Sequence, residues 1–225
     1  MIALFGIVFF PAILSAGCLE GDCVDGWGKM VTGQGYEYEG QWKNGRPHGK
    51  GTVKTHYGTV ISGDNWVHGK LQGNGVETYS SGRKYVGQFK NTKYHGIGTD
   101  HYPNGQTYRG EFKDGHPSGK GKLILADGSI YEGEFKDGLS NGRGKLLLAE
   151  GHVYIGEFFN GHPQGQGALI SPDGSKYVGE FHKGHQHGYG VQYSAAGKKT
   201  YSGLWTNGRE ARKEVDAVQV RTLKR

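Results

Sequence analysis

Apolar and polar residues alternate along this chain in short bursts that recur on a fixed step. Tyr108, Gly110 and Phe112 alternate with Arg109 and Glu111. The same opening returns 23 residues later each time, as Tyr131-Glu-Gly133-Glu-Phe135, Tyr154-Ile-Gly156-Glu-Phe158 and Tyr177-Val-Gly179-Glu-Phe181. A period of two marks a strand with one packed face. Upstream stand Tyr85-Val-Gly87-Gln-Phe89, a degenerate Ile61-Ser-Gly63, and Tyr38-Glu-Gly40-Gln-Trp42; downstream stands Tyr201-Ser-Gly203-Leu-Trp205. After each opening comes a Gly-x-Gly pair, such as Gly119/Gly121 or Gly165/Gly167, then an apolar run and a further glycine, such as Gly128 or Gly174. Gly119, Gly121, Leu123 and Leu125 alternate with Lys120, Lys122 and Ile124, which supplies a second strand. Lys113-Asp-Gly-His-Pro-Ser118 joins the two as a loop, and Ala126-Asp-Gly-Ser129 turns into the next unit. Each unit therefore predicts a β-hairpin. The whole predicts an all-β, elongated, single-layer antiparallel meander of tandem 23-residue hairpins. With strands ~4.8 Å apart, seven hairpins extend roughly 70 Å, each touching only its neighbours.

The register of the repeat has flaws. Two steps are 24 residues long, from 61 to 85 and from 177 to 201, and the extra residue of the first separates Gly63 from Trp66. Thr92 stands where the loop glycine belongs. A half unit, Gly26-Trp27-Gly28 through Gly35, precedes the first full repeat, so residues 26–208 hold seven full repeats with a half unit at each end. Stacked along the array, Tyr38, Trp42, Tyr85, Phe89, Tyr108, Phe112, Tyr131, Phe135, Tyr154, Phe158, Tyr177, Phe181, Tyr201 and Trp205 form its thin core. Composition agrees. The 43 glycines are nearly three times ordinary usage of ~7%, yet 12% aromatic residues argue against a disordered chain. Glycines between aromatics, such as Gly110, Gly133, Gly156 and Gly179, leave gaps that a ring covers, while Gly119 and Gly121 belong to the second strand.

These residues resemble the MORN (membrane occupation and recognition nexus) repeat, roughly Tyr-x-Gly-x-Trp/Phe-x-x-Gly-x-x-x-Gly-x-Gly. The likeness covers residues 26–208, with departures at Ile61, before Trp66 and at Thr92. It implies a scaffold or binding module. A lipid-headgroup role attaches to the family's name without belonging to every member.

Residues 1–17 carry no charged side chain and end in small residues, the shape of a signal peptide, and they are too short to span a bilayer as a helix. Leu14-Ser-Ala-Gly-Cys18 resembles a relaxed bacterial lipobox, with Ser15 where Leu is usual. That reading makes Cys18 the lipidated first residue of an exported, envelope-anchored chain, with 18–25 as linker. The alternatives are a secreted chain without lipid, a Cys18–Cys23 disulfide, two free thiols, or an uncleaved cytosolic chain. Two cysteines alone do not make a four-ligand zinc site.

The formal charge is +6. Residues 209–225 hold six Lys and Arg against three Asp and Glu, which predicts a basic tail or a short helix over 209–218 capping the sheet. Glu111, Glu134, Glu157 and Glu180 form an acidic row opposite the aromatics, near Lys120, Lys122 and Lys145, and predict cross-strand ion pairs on a solvated face. Interleaved acid disfavours nucleic acid. His48, His95 and His187 share one loop slot, and His116, His162 and His185 another, so rows two strand spacings apart do not converge on one ion. The local group His182, His185 and His187 is the one candidate ligand set. Gly45-Arg-Pro-His-Gly-Lys50 and Gly115-His-Pro-Ser-Gly-Lys120 imitate a phosphate loop but are one residue short and run into strands. Beyond the leader, the 18–25 linker and the array, 17 residues remain, too few for a catalytic domain of at least ~50. The reading is a non-enzymatic exported scaffold that presents its ribbon to a protein partner. Loop residues such as His116, His162 and Lys183 are its expected contacts, and no cofactor or small-molecule substrate is expected. A membrane lipid is the alternative partner, through Lys and Arg on one edge and in the tail. Glu111 and Glu134 are the nearest candidates for an enzyme.

Overall fold

The structure is a computed structural model that describes residues 17–211. Among them there is no helix; nineteen strands are assigned to one antiparallel sheet. The chain divides into two compact units, 1–139 and 140–225. The first holds β1 (Gly17–Gly21), β2 (Trp27–Val31), β3 (Glu37–Lys43), β4 (Arg46–Lys54), β5 (Val60–Val67), β6 (Lys70–Leu71), β7 (Gly73–Thr78), β8 (Lys84–Lys90), β9 (Lys93–His101), β10 (Thr107–Lys113), β11 (His116–Ile124) and β12 (Ile130–Lys136). Each pairs with the strand before and after it, except that β6 and β7 both pair with β5 as two pieces of one strand. The second unit opens on β13 (Leu139–Leu147) and continues with β14 (Val153–Phe159), β15 (His162–Ile170), β16 (Lys176–His182), β17 (His185–Tyr193), β18 (Lys199–Thr206) and β19 (Arg209–Glu210), again in sequential pairs.

The hairpin loops are tighter than the expected Lys113–Ser118. Lys113 pairs directly with His116, and Asp114 and Gly115 both have positive φ, 50° and 95°. Two such residues in a row fit the right-handed twist of the flanking strands, so turn and strand geometry agree. Asn160/Gly161 and Asn207/Gly208 repeat the pattern. Thr92 adopts a φ of 63°, an uncommon state for a β-branched residue. Two bonds to the preceding hairpin hold it there: its amide donates to the Leu71 carbonyl at 2.9 Å, and its Oγ1 accepts from the Leu71 amide at 3.0 Å. The first of these is general. Gly115 donates to Tyr94 O, Gly138 to Pro117 O and Gly184 to Pro163 O, each at 2.9 Å, so each turn is stapled to its predecessor.

One glycine per strand lies in direct register with the next. In the first unit the track runs Gly28, Gly40, Gly51, Gly63, Gly75, Gly87, Gly98, Gly110, Gly121, Gly133. In the second it runs Gly144, Gly156, Gly167, Gly179, Gly190, Gly203. A Cβ added at Gly121 would stand 2.5 Å from the Tyr108 hydroxyl, and one at Gly156 2.5 Å from that of Tyr154. The ring of the same repeat therefore lies over the backbone of its own hairpin. Tyr108 meets Phe112 edge-on at 5.0 Å and Phe135 of the next hairpin at 4.9 Å. The other aromatic slots behave alike: Tyr38, Trp42, Tyr85, Phe89, Tyr131, Phe135, Tyr154, Phe158, Tyr177, Phe181 and Trp205 are buried, and Tyr201 is half-buried.

The tyrosine that opens a repeat donates its hydroxyl to the carbonyl three residues on, as Tyr108 to Glu111 and Tyr154 to Glu157, both at 2.9 Å. Burial pushes the Tyr131, Tyr154 and Tyr177 hydroxyls up to about 12, with the charges of Glu134, Glu157 and Glu180 adding to the effect. An unfolded tyrosine titrates near 10. The folded state thus holds these protons more tightly, and the stability they contribute is whole below about pH 10 and lost as pH rises from there through 12. Chemical unfolding midpoints are expected to be flat between about pH 7 and 9 and to fall steeply above 10, with phenolate absorbance rising together with unfolding. Phenols that ionise near 10 in an intact sheet would overturn this.

Lys122 makes a cross-strand ion pair with Glu132 at 2.6 Å, as expected of this face, whereas two members of the glutamate row, Glu111 and Glu180, serve the backbone. The strands shift register between Gly110 and Phe112, leaving an amide of β11 without a ladder partner. Glu111 accepts from that amide, Lys120 N, at 2.8 Å; Glu180 likewise accepts from Tyr189 N at 3.1 Å. Gln41 and Gln88 do the same work for Lys50 and Ile97, each at 2.9 Å. The need at this slot is an acceptor oxygen for the bulge, and charge is incidental to it.

The ends also correct the sequence reading. No helix begins at Arg209: Arg209–Glu210 is β19, paired through Trp205↔Glu210 and Thr206↔Arg209. The tail from Arg212 and leader residues 1–16 lie outside the described residues. Gly17 already begins β1, so the expected linker 18–25 is partly strand. Cys18 and Cys23 form a disulfide with Cα atoms 6.0 Å apart. A thioether-linked lipid on Cys18 needs the same sulfur, so the two states exclude each other.

Candidate functional site

In every strand the residues flanking the track glycine point away from the aromatic rings. In the first unit these residues enclose an open groove of about 620 Å³, lined by Trp27, Glu39, Lys50, Thr52, Ser62, Asp64, Asn74, Val76 and Val86, with Gly51, Gly63, Gly75 and Gly87 beneath. Cross-strand pairing sets Glu39, Thr52, Ser62, Val76 and Val86 in one row. Trp27 is 53% exposed and closes one end. Lys50 Nζ stands 4.0 Å from Asp64 Oδ1, both well exposed. The lining offers hydroxyls, an amide, both signs of charge and an exposed aromatic ring, groups able to form hydrogen bonds and to stack an apolar side chain. Nothing in it activates a nucleophile.

A second constellation lies on the aromatic side. The slot that holds Val53 and Leu123 elsewhere holds Glu77 and Asp100 here, both paired to Tyr85 and both buried. Tyr94 stacks flat on Tyr85 with ring centres 3.6 Å apart. Its hydroxyl donates to Glu77 Oε2 at 2.7 Å and meets the Tyr79 hydroxyl at 3.0 Å. Arg83 forks onto Asp100, Nε to Oδ1 at 2.9 Å and Nη2 to Oδ2 at 2.5 Å. Its guanidinium lies over Tyr79 and Tyr102, 5.1 and 4.8 Å from their ring centres. Desolvation pushes the Glu77 carboxyl up, against its bond from Tyr94. Burial opposes the Arg83 charge, but the Asp100 hydrogen bond and charge outweigh it and raise its pKa. Perturbed titration in a buried cluster often marks catalysis. Here the groups satisfy one another, which is the signature of a clamp inside the sheet.

The histidine trio does not converge. His182 pairs with His185, and its ring centre lies 5.5 Å from that of His187. Among the described residues no group of three His, Cys, Asp or Glu side chains is placed to hold a metal ion. His116, His162 and Lys183 sit exposed at hairpin turns, each alone on its own turn. The Glu111 carboxylate is committed to the repeat, where it caps a bulge amide, and the backbone carbonyl of Glu134 accepts from Tyr131 at 2.9 Å. The two phosphate-loop look-alikes run from turns into β4 and β11. Sequence reasoning missed the groove and the clamp. The clamp had a signal, since Glu77 and Asp100 break a slot that is apolar in neighbouring repeats. The groove had none, because its residues follow no repeat.

A family model described as the MORN repeat matches residues 38–54, 65–82, 85–107, 108–130, 131–153, 154–176 and 177–199, seven repeats over about two thirds of the chain. No curated protein sequence matches. Among solved structures, the chain is similar in fold to the SAS-4 (dCPAP) TCP domain of Drosophila melanogaster, solved with a proline-rich motif of Ana2 (dSTIL). That match has 14% identity and a TM-score of 0.42, covering 70% of this chain and 86% of that one. The CPAP G-box domain matches at 15% identity and TM-score 0.44, covering 80% and 100%. The TCP10 domain of Danio rerio CPAP matches at 13% and 0.39, covering 80% and 90%. These are likenesses of strand arrangement and nothing further.

Proposed function

Since the chain belongs to the MORN-repeat family, we propose that it is a non-catalytic, exported scaffold that seats an extended protein segment in the groove of its first unit. The groove beside Trp27 carries this reading: it is open, floored by glycine backbone and rich in side-chain hydrogen-bonding groups, which suits main-chain as well as side-chain recognition. Catalysis finds no support, because the perturbed carboxylate Glu77 is buried and bonded within its cluster. Export is supported by the Cys18–Cys23 bond, since disulfides persist in oxidising compartments. The lipid-anchored form of the proposal, in a bacterial envelope, requires a thioether at Cys18 and leaves Cys23 a free thiol.

Peptide display against the immobilised chain tests the groove. Peptides are expected to enrich on the natural chain and to be lost on Trp27→Ala and Val86→Asp. Enrichment that survives both changes, or salt-sensitive sedimentation with anionic vesicles in place of peptide binding, would overturn it in favour of another surface or of lipid. Mass spectrometry of the mature N-terminus tests export and anchoring together: an acylated Cys18, or a cleaved chain carrying the disulfide, supports export, and an intact leader with two free thiols sinks it.

A further inference from the structure

The groove-side face changes character in the second unit. In the first, its central row reads Lys29, Glu39, Thr52, Ser62, Val76, Val86, Thr99, Arg109, Lys122, Glu132. In the second, the same row begins at Lys145 and then reads Ile155, Ala168, Val178, Val191, Ser202. Ile155 is 48% exposed and Val178 42%; beside them on the same face Tyr189 is 60% and Leu204 56% exposed. These side chains are neighbours across five strands and form a contiguous apolar band, a surface that in a soluble chain marks a contact. Glu157 and Glu180 stand two residues on from Ile155 and Val178, on the same face, and give one border of the band an acidic edge.

The described residues end beside this band. Ala211, the last described residue, donates its amide to the Leu204 carbonyl at 2.8 Å. Beyond it the sequence lacks the two glycines that a repeat strand carries. In a regular hairpin Phe112 pairs with Pro117, and the glycines two and four residues later take the positive φ and the track position. Here Trp205 pairs with Glu210, and the corresponding positions are Arg212 and Glu214. A side chain at either slot meets the strain or the ring collision that glycine avoids.

We propose that residues 212–225 pack on this apolar band in cis. The segment carries Val215, Val218, Val220 and Leu223 for the band, and Arg212, Lys213, Arg221, Lys224 and Arg225 for its acidic border. Crossing from β18 to β14 spans about 19 Å at ~4.8 Å per strand. Fourteen residues reach that distance whether helical, at ~1.5 Å per residue, or extended, at ~3.3 Å. Charge and hydrophobicity therefore match at once, and the tether holds the segment at high effective concentration.

Limited trypsin digestion of the full chain reads this out, because trypsin cleaves after Arg212, Lys213, Arg221 and Lys224. Cleavage after Arg212 and Lys213 is expected to be slow in the natural chain. It should accelerate at least tenfold in Val178→Asp, a surface change that leaves the aromatic core intact. Val218→Asp combined with Val220→Asp alters only the tail and is expected to give the same acceleration, together with a rise in binding of a fluorescent apolar dye. Equal cleavage rates in all three chains overturn the proposal. Slow cleavage in a species of twice the monomer mass also overturns it, by assigning the band to a second copy.

Discussion

Replacing Arg83 by leucine is expected to destabilise the second and third hairpins by about 3–5 kcal/mol, the cost of leaving a buried carboxylate without its partner. Asp100 is 2% exposed, and its two oxygens are engaged by Arg83 Nε and Nη2. With the fork gone, Asp100 keeps its place only by taking up a proton or admitting water. The loss should appear first as faster amide exchange across Lys84–His101, since repeat arrays open locally, and then as a lower urea midpoint. Arg83→Leu joined to Asp100→Leu should recover most of the loss, because removing both charges removes the mismatch. A loss below 1 kcal/mol, or a double change as damaging as the single one, would show that the fork holds nothing together.

The other large effect lies on the glycine track. Gly121→Ala should cost about 3 kcal/mol, the upper range for overpacking a filled site. The new methyl would stand 2.5 Å from the Tyr108 hydroxyl and 2.6 to 2.7 Å from its ring carbons. Tyr108 has nowhere to retreat: its hydroxyl is tied to Glu111 O, and Phe112 and Phe135 press on its edges. Gly115→Ala is the natural control. It has the same change of mass, a positive φ of 95° and nothing within 4 Å, so its cost is conformational alone, about 1 kcal/mol. Tyr108→Leu should partly rescue Gly121→Ala, a non-additivity expected of groups in contact. Equal thermal shifts for the two glycine changes would refute the collision.

Much of this architecture is written openly in the sequence. The alternation around Tyr108, Gly110 and Phe112 is a strand because period two has no other use for that spacing, and the 23-residue step makes each strand a hairpin arm. The extra residue before Trp66 is visible as a count, and the structure places it opposite a single residue of β4, between Gly63↔Gly51 and Trp66↔Gly49. Other features were hidden for identifiable reasons. Lys113–Ser118 reads as a loop because Gly, Pro and Ser are turn residues, yet only Asp114 and Gly115 turn; Pro117 sits in a strand opposite Phe112. The glutamates beside Phe look like half of a salt bridge, and only the register shift reveals a backbone amide waiting for them. The clamp depends on Tyr94 following the turn at Thr92, where other repeats carry Pro47, Leu71, Pro117, Ser140, Pro163 or Gln186, and no local propensity speaks to what that ring will stack upon. The groove and the apolar band arise from non-repeating residues that register alone brings side by side.

The glycine track has an evolutionary consequence. Because the missing Cβ of the track glycines points at the rings, the ring packing of the repeat is confined to that side. Apart from the acceptor slot of Glu111 and its equivalents, the opposite side is released from it. It works as a writable surface, one line per strand, on which substitutions accumulate without compensating changes beneath. The polar script of the first unit and the apolar script of the second are two texts on the same paper, so recognition in such a protein is free to diverge while its frame is copied unchanged.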